Sequence, residues 1–169
     1  MTDPAPLLAR IAVAEVRLAV LADVELRGLT GADAATGERW EAGQAWAHLA
    51  EFPGYWLGQI EGLLAAHAAG AAHAAGAAQP IPFGRTKADP VRIGAIEARR
   101  RERPAALLRD ARAGIAAVRM LCASLSADEW GVTGAHPSLG PMTIAAIVER
   151  FLAAHLEEHA AQLEGLAAG

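Results

Sequence analysis

The sequence has little of several residue types: one cysteine, one lysine, one tyrosine and three phenylalanines among 169 residues. A single thiol excludes an internal disulfide. Cys122 lies on an apolar stripe at helical spacing, so we interpret it as a small core residue rather than a reactive thiol. The scarcity of tyrosine and phenylalanine, beside abundant alanine and leucine, favours helices over strands.

An excess of positive charge is also missing, since the formal net charge is −4. An acidic chain has no overall attraction to phosphate, so the arginines within residues 99–103 are interpreted as the solvated face of a helix. Arg10, Glu15 and Arg17 interrupt the apolar residues near the N-terminus, which argues against a signal peptide or a membrane span. We expect a cytoplasmic protein that binds neither nucleic acid nor membranes. One lysine against 14 arginines suggests a GC-rich bacterial genome.

Apolar residues recur at helical spacing in four segments. The predicted helices run over Pro6–Arg27, Glu41–Ala66, Arg92–Leu125 and from Pro141 toward the C-terminus. The third helix has an alternative start at Pro104. Pro53 removes a backbone hydrogen bond within the second helix, where we expect a kink. Four helices predict an all-α fold, a four-helix bundle in one domain spanning residues 1–169.

The connections between the helices predict their directions. Residues 67–91, in which AAHAAG occurs twice, form a long flexible crossover or lid that leaves helices 2 and 3 parallel. The shorter connections suit antiparallel neighbours, so the predicted order is up, down, down, up. Within the last connection, Ser126 and Glu129 form a capping box for one short turn. The segment GVTGAHPSLGPMT is then interpreted as a loop, with Pro141 in the first position of the fourth helix.

The first predicted helix is apolar on more than one face. Its main stripe comprises Leu7, Ile11, Ala14, Leu18 and Leu21, and beside it lies a second stripe of Val13, Val16, Val20 and Val24. An apolar arc this wide exceeds what one neighbouring element covers. Either two elements of the same chain cover it, or it contacts a second copy, and we expect a homodimer.

Three histidines are the candidate metal ligands. FLAAHLEEHAAQLE, residues 151–164, places His155 and His159 on one face of the fourth helix. His48 lies about two turns into the second helix, at the same level if the two helices are antiparallel. Three neutral imidazoles form an open site for a divalent transition metal such as zinc, nickel or iron. The alternative is that they are buried histidines without a metal. His67 and His73 in the repeat are not expected to be ligands, and His136 in the predicted loop is expected to be solvated.

Several residues near these histidines are candidates for a supporting role. Glu51, Tyr55 and Gln162 could each bind the second ring nitrogen of a ligand histidine or orient a bound molecule. Glu158 has the same spacing but is interpreted as a solvated helix residue. Trp46 and Trp56 are interpreted as core residues rather than as a platform for substrate.

The segments AWAHLAEFPGYW, LSADEW and HPSLGPMTIAAIVERFLAAHLEEHAAQLE resemble the DinB-like superfamily over nearly the whole chain. Its relatives include thiol-dependent S-transferases and the metal-binding domain of mycothiol-dependent maleylpyruvate isomerase. The resemblance implies a four-helix bundle, frequent homodimers and a metal site held by His48, His155 and His159. The low-complexity stretch at 67–80 departs from the family pattern, and the second domain of the isomerases is missing.

The resemblance implies a metal-dependent transfer of a small-molecule thiol, of the mycothiol or bacillithiol type, to an electrophile. A divalent ion lowers the pKa of a bound thiol, and the thiolate is the nucleophile. Two alternatives stay open. One is a non-enzymatic dimeric helical module whose metal is structural or absent. The other is a metal-dependent hydrolase with Glu51 as its base.

Overall fold

The computed structural model describes residues 4–34, 36–70 and 80–167, which are mostly helical. The helices are α1 (Ala5–Leu21), α2 (Ala42–Ala68), α3 (Pro90–Arg99), α4 (Pro104–Ser124), α5 (Ala127–Trp130), α6 (Ile144–Val148) and α7 (Ala154–Ala167). A π-helical segment, Glu149–Ala153, joins α6 to α7 in one continuous helix. Three short strands complete the fold: β1 (Ile81–Pro82), β2 (Thr133–His136) and β3 (Gly140–Thr143).

The four long helices share one core. The predicted main stripe of α1 is buried throughout, as is the stripe of α2 that runs from Ala45 to Leu63. Cys122 is also buried, as predicted, and burial raises the pKa of its thiol to about 11. Helix α2 continues through Pro53 without a break. Among the described residues, no helix combines the length and apolar character needed to cross a membrane.

Contacts along the helices show which of them run in the same direction. Arg10 of α1 forms ion pairs with Glu149 and Glu157, and Arg17 pairs with Glu164 further along α7. Helix α1 therefore runs parallel to the C-terminal helix. By the same reasoning α2 runs parallel to the α3–α4 segment, because its residues 43 and 53 approach residues 100 and 114, respectively.

The third predicted helix is broken, so the prediction of one helix from Arg92 to Leu125 was wrong. Helix α3 ends at Arg99, and Arg103 has an extended conformation before α4 begins. Pro104 explains the break, because its ring would clash with a carbonyl one turn earlier and disfavours a helical conformation at the preceding residue. The alternative start at Pro104 is confirmed.

The predicted loop before the last helix contains a β-hairpin. Strand β2 pairs antiparallel with β3 and parallel with β1, which comes from the long crossover. The prediction of Pro141 as the first residue of the fourth helix was wrong, because Pro141 lies in β3. Instead, Thr143 caps the helix by accepting a hydrogen bond from the backbone N–H of Ala146. The predicted capping box at Ser126 is confirmed.

The π-helical segment changes which residues of the last helix face the core. A uniform helical period predicts that Phe151 and His155 continue the buried stripe. The structure buries Leu152 and Leu156 fully and leaves Phe151 and His155 half-buried. The wider turn shifts the register by one residue, which moves these two rings to the edge of the core.

We predict that Gly43→Ala destabilises the protein by about 1–3 kcal/mol, because overpacking strains a close backbone contact. A Cβ atom at this position would lie 2.0 Å from the backbone oxygen of Arg100, and a carbonyl that ends α3 cannot move aside as a side chain can. Gly62→Ala, in the same helix but with open space around it, should stabilise by about 0.5–1 kcal/mol. Urea unfolding of both variants tests this. Equal stability of the two would contradict the close approach of α2 and α3.

Candidate metal centre

The structure brings together the three histidines that the sequence analysis singled out. The Nε2 atom of His155 lies 2.9 Å from Nε2 of His48 and 2.8 Å from Nε2 of His159. One potential ligand atom from each ring lies within 4.8 Å of the others. Among the described residues, this is the single histidine, cysteine and carboxylate cluster with metal-binding geometry. The three nitrogens are therefore close enough to bind one metal ion together.

Two helices supply the cluster, and their antiparallel packing sets its level. His48 is in the second turn of α2, whereas His155 and His159 are in the first two turns of α7. Phe52 stacks on His155 at 4.1 Å between ring centroids, one turn after His48. The π-helical segment ends at Ala153, immediately before these turns. π-Helical turns of this kind often mark functional sites.

The outer ring nitrogens of the cluster are placed as expected for candidate ligands. The Nδ1 atom of His159 lies 2.8 Å from the side-chain oxygen of Gln162, which can only accept a hydrogen bond. His159 therefore carries its proton on Nδ1, which leaves the lone pair of Nε2 free for an ion. Nδ1 of His48 is buried without a hydrogen-bond partner and lies 3.9 Å from a carboxylate oxygen of Glu51. Two of the three candidates for a supporting role, Gln162 and Glu51, thus lie beside the rings of His159 and His48.

Burial keeps the three imidazoles neutral. Burial, followed by the neighbouring histidines, lowers the pKa of His48 well below its usual value, and burial also lowers that of His155. The pKa of His159 falls to about 4 because burial outweighs its hydrogen bond to Gln162. Neutral imidazole is the form that binds metals, so the site is in its ligand state at neutral pH.

A cavity of about 410 Å³ opens beside the cluster. This volume is within the range of small-molecule sites. Its apolar surface includes Trp40, Phe52, Trp56 and Phe151. Trp40 stacks on His159 with ring centroids 6.0 Å apart, and Trp56 stacks on Phe151 at 3.9 Å. A molecule in this cavity can therefore reach the histidines from one side.

The crossover supplies part of the cavity wall. Its described part is anchored by hydrogen bonds from the backbone N–H of Phe83 to the Ala135 carbonyl, and from that of Gly84 to the side chain of Gln59. Arg85 then donates two hydrogen bonds, of 2.5 and 2.6 Å, to Glu51. Its guanidinium carbon also lies 3.7 Å from the centre of the Tyr55 ring. Tyr55 is thus linked to the site through Arg85 rather than through a histidine.

The other candidate residues lie away from the cluster or outside the described chain. Glu158 is exposed and lines the cavity. Trp46 is buried in the core, as predicted, whereas Trp56 is both buried and part of the cavity wall. His67 lies outside the cluster, at the end of α2. His73 lies outside the described residues.

The prediction that His136 is solvated was wrong. It is 6% exposed, because strand β2 turns its ring inward against Trp56 and Phe151. Its Nδ1 accepts a hydrogen bond from the backbone N–H of Ser138, and its ring packs against the backbone of Gly84, where a Cβ atom would lie 2.5 Å away. His136 therefore supports the crossover rather than the metal cluster.

Two residues of the site were missed in the sequence analysis. Arg92 was interpreted only as the start of a helix, and Trp40, between the first two predicted helices, was not singled out. The structure places both in the cavity wall, with the guanidinium carbon of Arg92 5.1 Å from the centre of the Trp40 ring. No spacing pattern links these positions to the histidines, so only the three-dimensional structure identifies them.

Comparison with known proteins gives one match. The family model described as the DinB superfamily matches residues 8–163. No curated protein and no solved structure matches the chain. The matched residues include all three histidines of the cluster.

We predict that the metal-free protein loses stability as the pH falls from about 6.5, the usual histidine pKa of an unfolded chain. The histidine pKa values are lower in the folded state, so the unfolded state binds more protons below about pH 6.5. The free energy of unfolding therefore decreases until the pH reaches the folded-state pKa values, about 4 for His159. Each neutral histidine contributes a slope of up to about 1.4 kcal/mol per pH unit. Urea unfolding between pH 7 and pH 5 measures the slope.

His155→Gln removes one of these titrating groups and should make the slope shallower. His67→Gln, outside the cluster, is the matched control and should keep the wild-type slope. A slope unchanged by His155→Gln would mean that this ring is protonated in the folded protein.

Proposed function

The chain belongs to the DinB superfamily, and we propose that His48, His155 and His159 hold a divalent transition metal, zinc, nickel or iron, in an enzyme that transfers small-molecule thiols. The observation that carries the proposal is the convergence of three Nε2 atoms beside an open cavity. Three protein ligands leave room for a bound molecule, as in catalytic sites, whereas structural sites are closed by a fourth. When bound, the ion would lower the pKa of a thiol or water.

The surrounding residues prepare the site for this chemistry. Gln162 fixes the tautomer of His159, and Glu51 holds negative charge near Nδ1 of His48. Outer partners of this kind orient ligand histidines and raise their basicity. Trp40 and Phe52 cover the rings and limit the access of water. The cation of Arg85 in turn holds Glu51 in place.

A small-molecule thiol fits the site because the protein has no thiol of its own there. Cys122 is 1% exposed in α4 and is absent from the cavity wall. In the proposed reaction the sulfur of a cosubstrate, of the mycothiol or bacillithiol type, forms a bond to an electrophilic carbon while the bond from that carbon to a leaving group breaks. The leaving group takes the electron pair of the broken bond, and the thiol proton passes to it or to solvent. The family resemblance supports this choice of thiol.

The two alternative functions have less support from the geometry. A hydrolase needs a free base near the ion, but both oxygens of Glu51 bind Arg85. A purely structural metal needs no cavity, but one of about 410 Å³ lies beside the histidines. Thiol transfer therefore remains the proposal.

We infer that the four long helices form a single-domain bundle in up-down-down-up order. Three sets of contacts support this order. The ion pairs between α1 and α7 are parallel, and so is the approach of α2 to α3 and α4. The contacts of α2 with the C-terminal helix are antiparallel, because His48 contacts His159 whereas Trp56, later in α2, contacts the earlier Phe151. In this order α2 and α7 are antiparallel, as the three-histidine site requires.

We predict that purified protein binds one equivalent of cobalt(II) and that its absorption spectrum changes when a thiol binds. Mycothiol, bacillithiol, glutathione and coenzyme A are titrated in turn into the cobalt-loaded protein. Of the four, mycothiol or bacillithiol should give a sulfur-to-cobalt charge-transfer band. His155→Ala should abolish cobalt binding, because two imidazoles hold a divalent ion weakly, and His67→Ala should leave it intact. If cobalt binds but no thiol alters the spectrum, thiol transfer is wrong.

We also propose that the protein forms a homodimer through the second stripe of α1. Val13, Val16 and Val20 are 60%, 64% and 67% exposed, so no described element of the same chain covers them. These residues follow one face of α1, where they form a continuous apolar strip. A second copy of the same helix is a matching partner for such a strip, since a twofold axis places like surfaces together.

Val16→Glu is predicted to dissociate this dimer, because burying an unpaired carboxylate is costly. Light scattering at micromolar concentration should give a dimer mass for the wild type and a monomer mass for the variant. Glu61→Val, which changes an exposed residue of α2, is a control for altered charge. A monomeric wild type, or a dimer unaffected by Val16→Glu, would contradict the proposal.

A further inference from the structure

Arg92 is a buried cation in the wall of the cavity. It lies in the first turn of α3, where Asp89 caps the helix by accepting a hydrogen bond from the backbone N–H of Arg92. Its side chain is held by a hydrogen bond from Nη1 to the backbone carbonyl of Lys87 and by the face of Trp40. The residue is 8% exposed, and burial lowers the pKa of its guanidinium, although arginine stays charged in proteins.

Arg92 differs from its neighbours in having no carboxylate partner. Arg85 pairs with Glu51, and Lys87 pairs with Asp33. Within residues 4–34, 36–70 and 80–167, no acidic side chain forms an ion pair with Arg92, and the only hydrogen-bond acceptor of its guanidinium is the Lys87 carbonyl. Burying a charge without a counter-ion is costly. The remaining N–H groups of this guanidinium are therefore available to a ligand.

The position of Arg92 relates it directly to the histidine cluster. Trp40 contacts both, since the centre of its ring lies 5.1 Å from the guanidinium carbon of Arg92 and 6.0 Å from the centre of the His159 ring. Arg92, Trp40 and His159 all line the same cavity. One molecule lying along Trp40 can therefore contact the guanidinium at one end and the cluster at the other.

We propose that Arg92 binds an oxyanion, a carboxylate or a phosphate, at the end of the substrate remote from the histidine cluster. A planar guanidinium binds such groups through paired hydrogen bonds. What we infer about the substrate rests on the proposed function. The anion site itself does not require a metal. The substrates are then acids whose reacting atom is several bonds from the anionic group.

The overall charge of the cavity would not by itself account for the binding of an anion. Of the cations in its wall, Arg85 pairs with Glu51 and Lys87 with Asp33. Two exposed carboxylates, Glu38 and Glu158, balance the remaining two cations, of which Arg92 is buried and Arg150 is exposed. Anion binding should therefore depend on Arg92 and not on Arg150. This difference provides a matched control, since Arg150→Gln removes one positive charge from the same cavity.

Fluorescence quenching of Trp40 tests the anion site in metal-free protein. Trp40 is half-buried, whereas Trp46, Trp56 and Trp130 are 1%, 4% and 3% exposed, so soluble quenchers should act mainly on Trp40. Iodide, an anion, should quench at least about twofold more in the wild type than in Arg92→Gln, because the guanidinium concentrates anions beside the ring. Acrylamide, which is neutral, should quench both equally. Arg150→Gln and Arg92→Lys should resemble the wild type.

Competition in the wild-type protein identifies the anion and needs no variant. Hexanoate or inorganic phosphate should suppress iodide quenching, and hexanamide, the neutral match of hexanoate, should not. Suppression by hexanoate alone assigns a carboxylate, and suppression by phosphate alone assigns a phosphate. Either result supports the proposal. Equal suppression by hexanoate and hexanamide, or no suppression by either anion, overturns it.

A thiol with a terminal acid connects the anion site to the metal. In cobalt-loaded protein, 6-mercaptohexanoate should bind about tenfold more tightly than 6-mercaptohexanol, since a charge-assisted hydrogen bond contributes about 1.5 kcal/mol. Arg92→Gln should remove this preference and leave the affinity for the alcohol unchanged. If anions protect Trp40 but neither thiol alters the cobalt spectrum, the thiol chemistry fails and the anion site stands. If both thiols bind equally and iodide shows no preference, the anion site fails and the thiol chemistry stands.

Discussion

The arrangement of three uncharged imidazoles around one point is the constraint on which the rest of the structure depends. Protonated rings would repel one another at the 2.8–2.9 Å that separates the Nε2 atoms, so the rings must be shielded from water. Shielding requires α2 and α7 to pack closely and antiparallel at the level of His48. The remaining helices complete the core that holds this pair together. The cavity is the one opening beside the cluster, within the described part of the chain, through which a small molecule can reach the rings.

Much of the fold and the ligand set could be predicted from local patterns. The α1 and α2 stripes follow from helical spacing, and the histidines follow from the spacing of His155 and His159 combined with a bundle order that places His48 opposite them. These predictions depend on the spacing of apolar residues and on the lengths of the connections, and both can be read directly from the sequence. The break before Pro104 was only an alternative, because a helical stripe continued across it.

The failures arise where tertiary contacts override the local pattern. The π-helical turn cannot be recognised from a 3.6-residue period, so Phe151 and His155 were assigned to the core instead of the cavity edge. His136 was assigned to a solvated loop because the pairing of β2 with a strand about 50 residues earlier in the chain has no local signal. Arg92 and Trp40 come from different segments and meet only after the crossover packs on α2. The residues that give the cavity its character are thus the ones least visible in the sequence.

The buried position of Cys122 has a consequence for the proposed thiol chemistry. Small thiols in a cell coexist with their disulfides, which exchange with exposed protein thiolates and block them. With a pKa of about 11, the Cys122 thiol is ionised in only about one molecule in ten thousand at pH 7. It is also 1% exposed and lies in α4, which contributes no residue to the cavity wall. If the proposed thiol chemistry holds, the protein is thus protected from forming a mixed disulfide with its cosubstrate, even when that cosubstrate is oxidised.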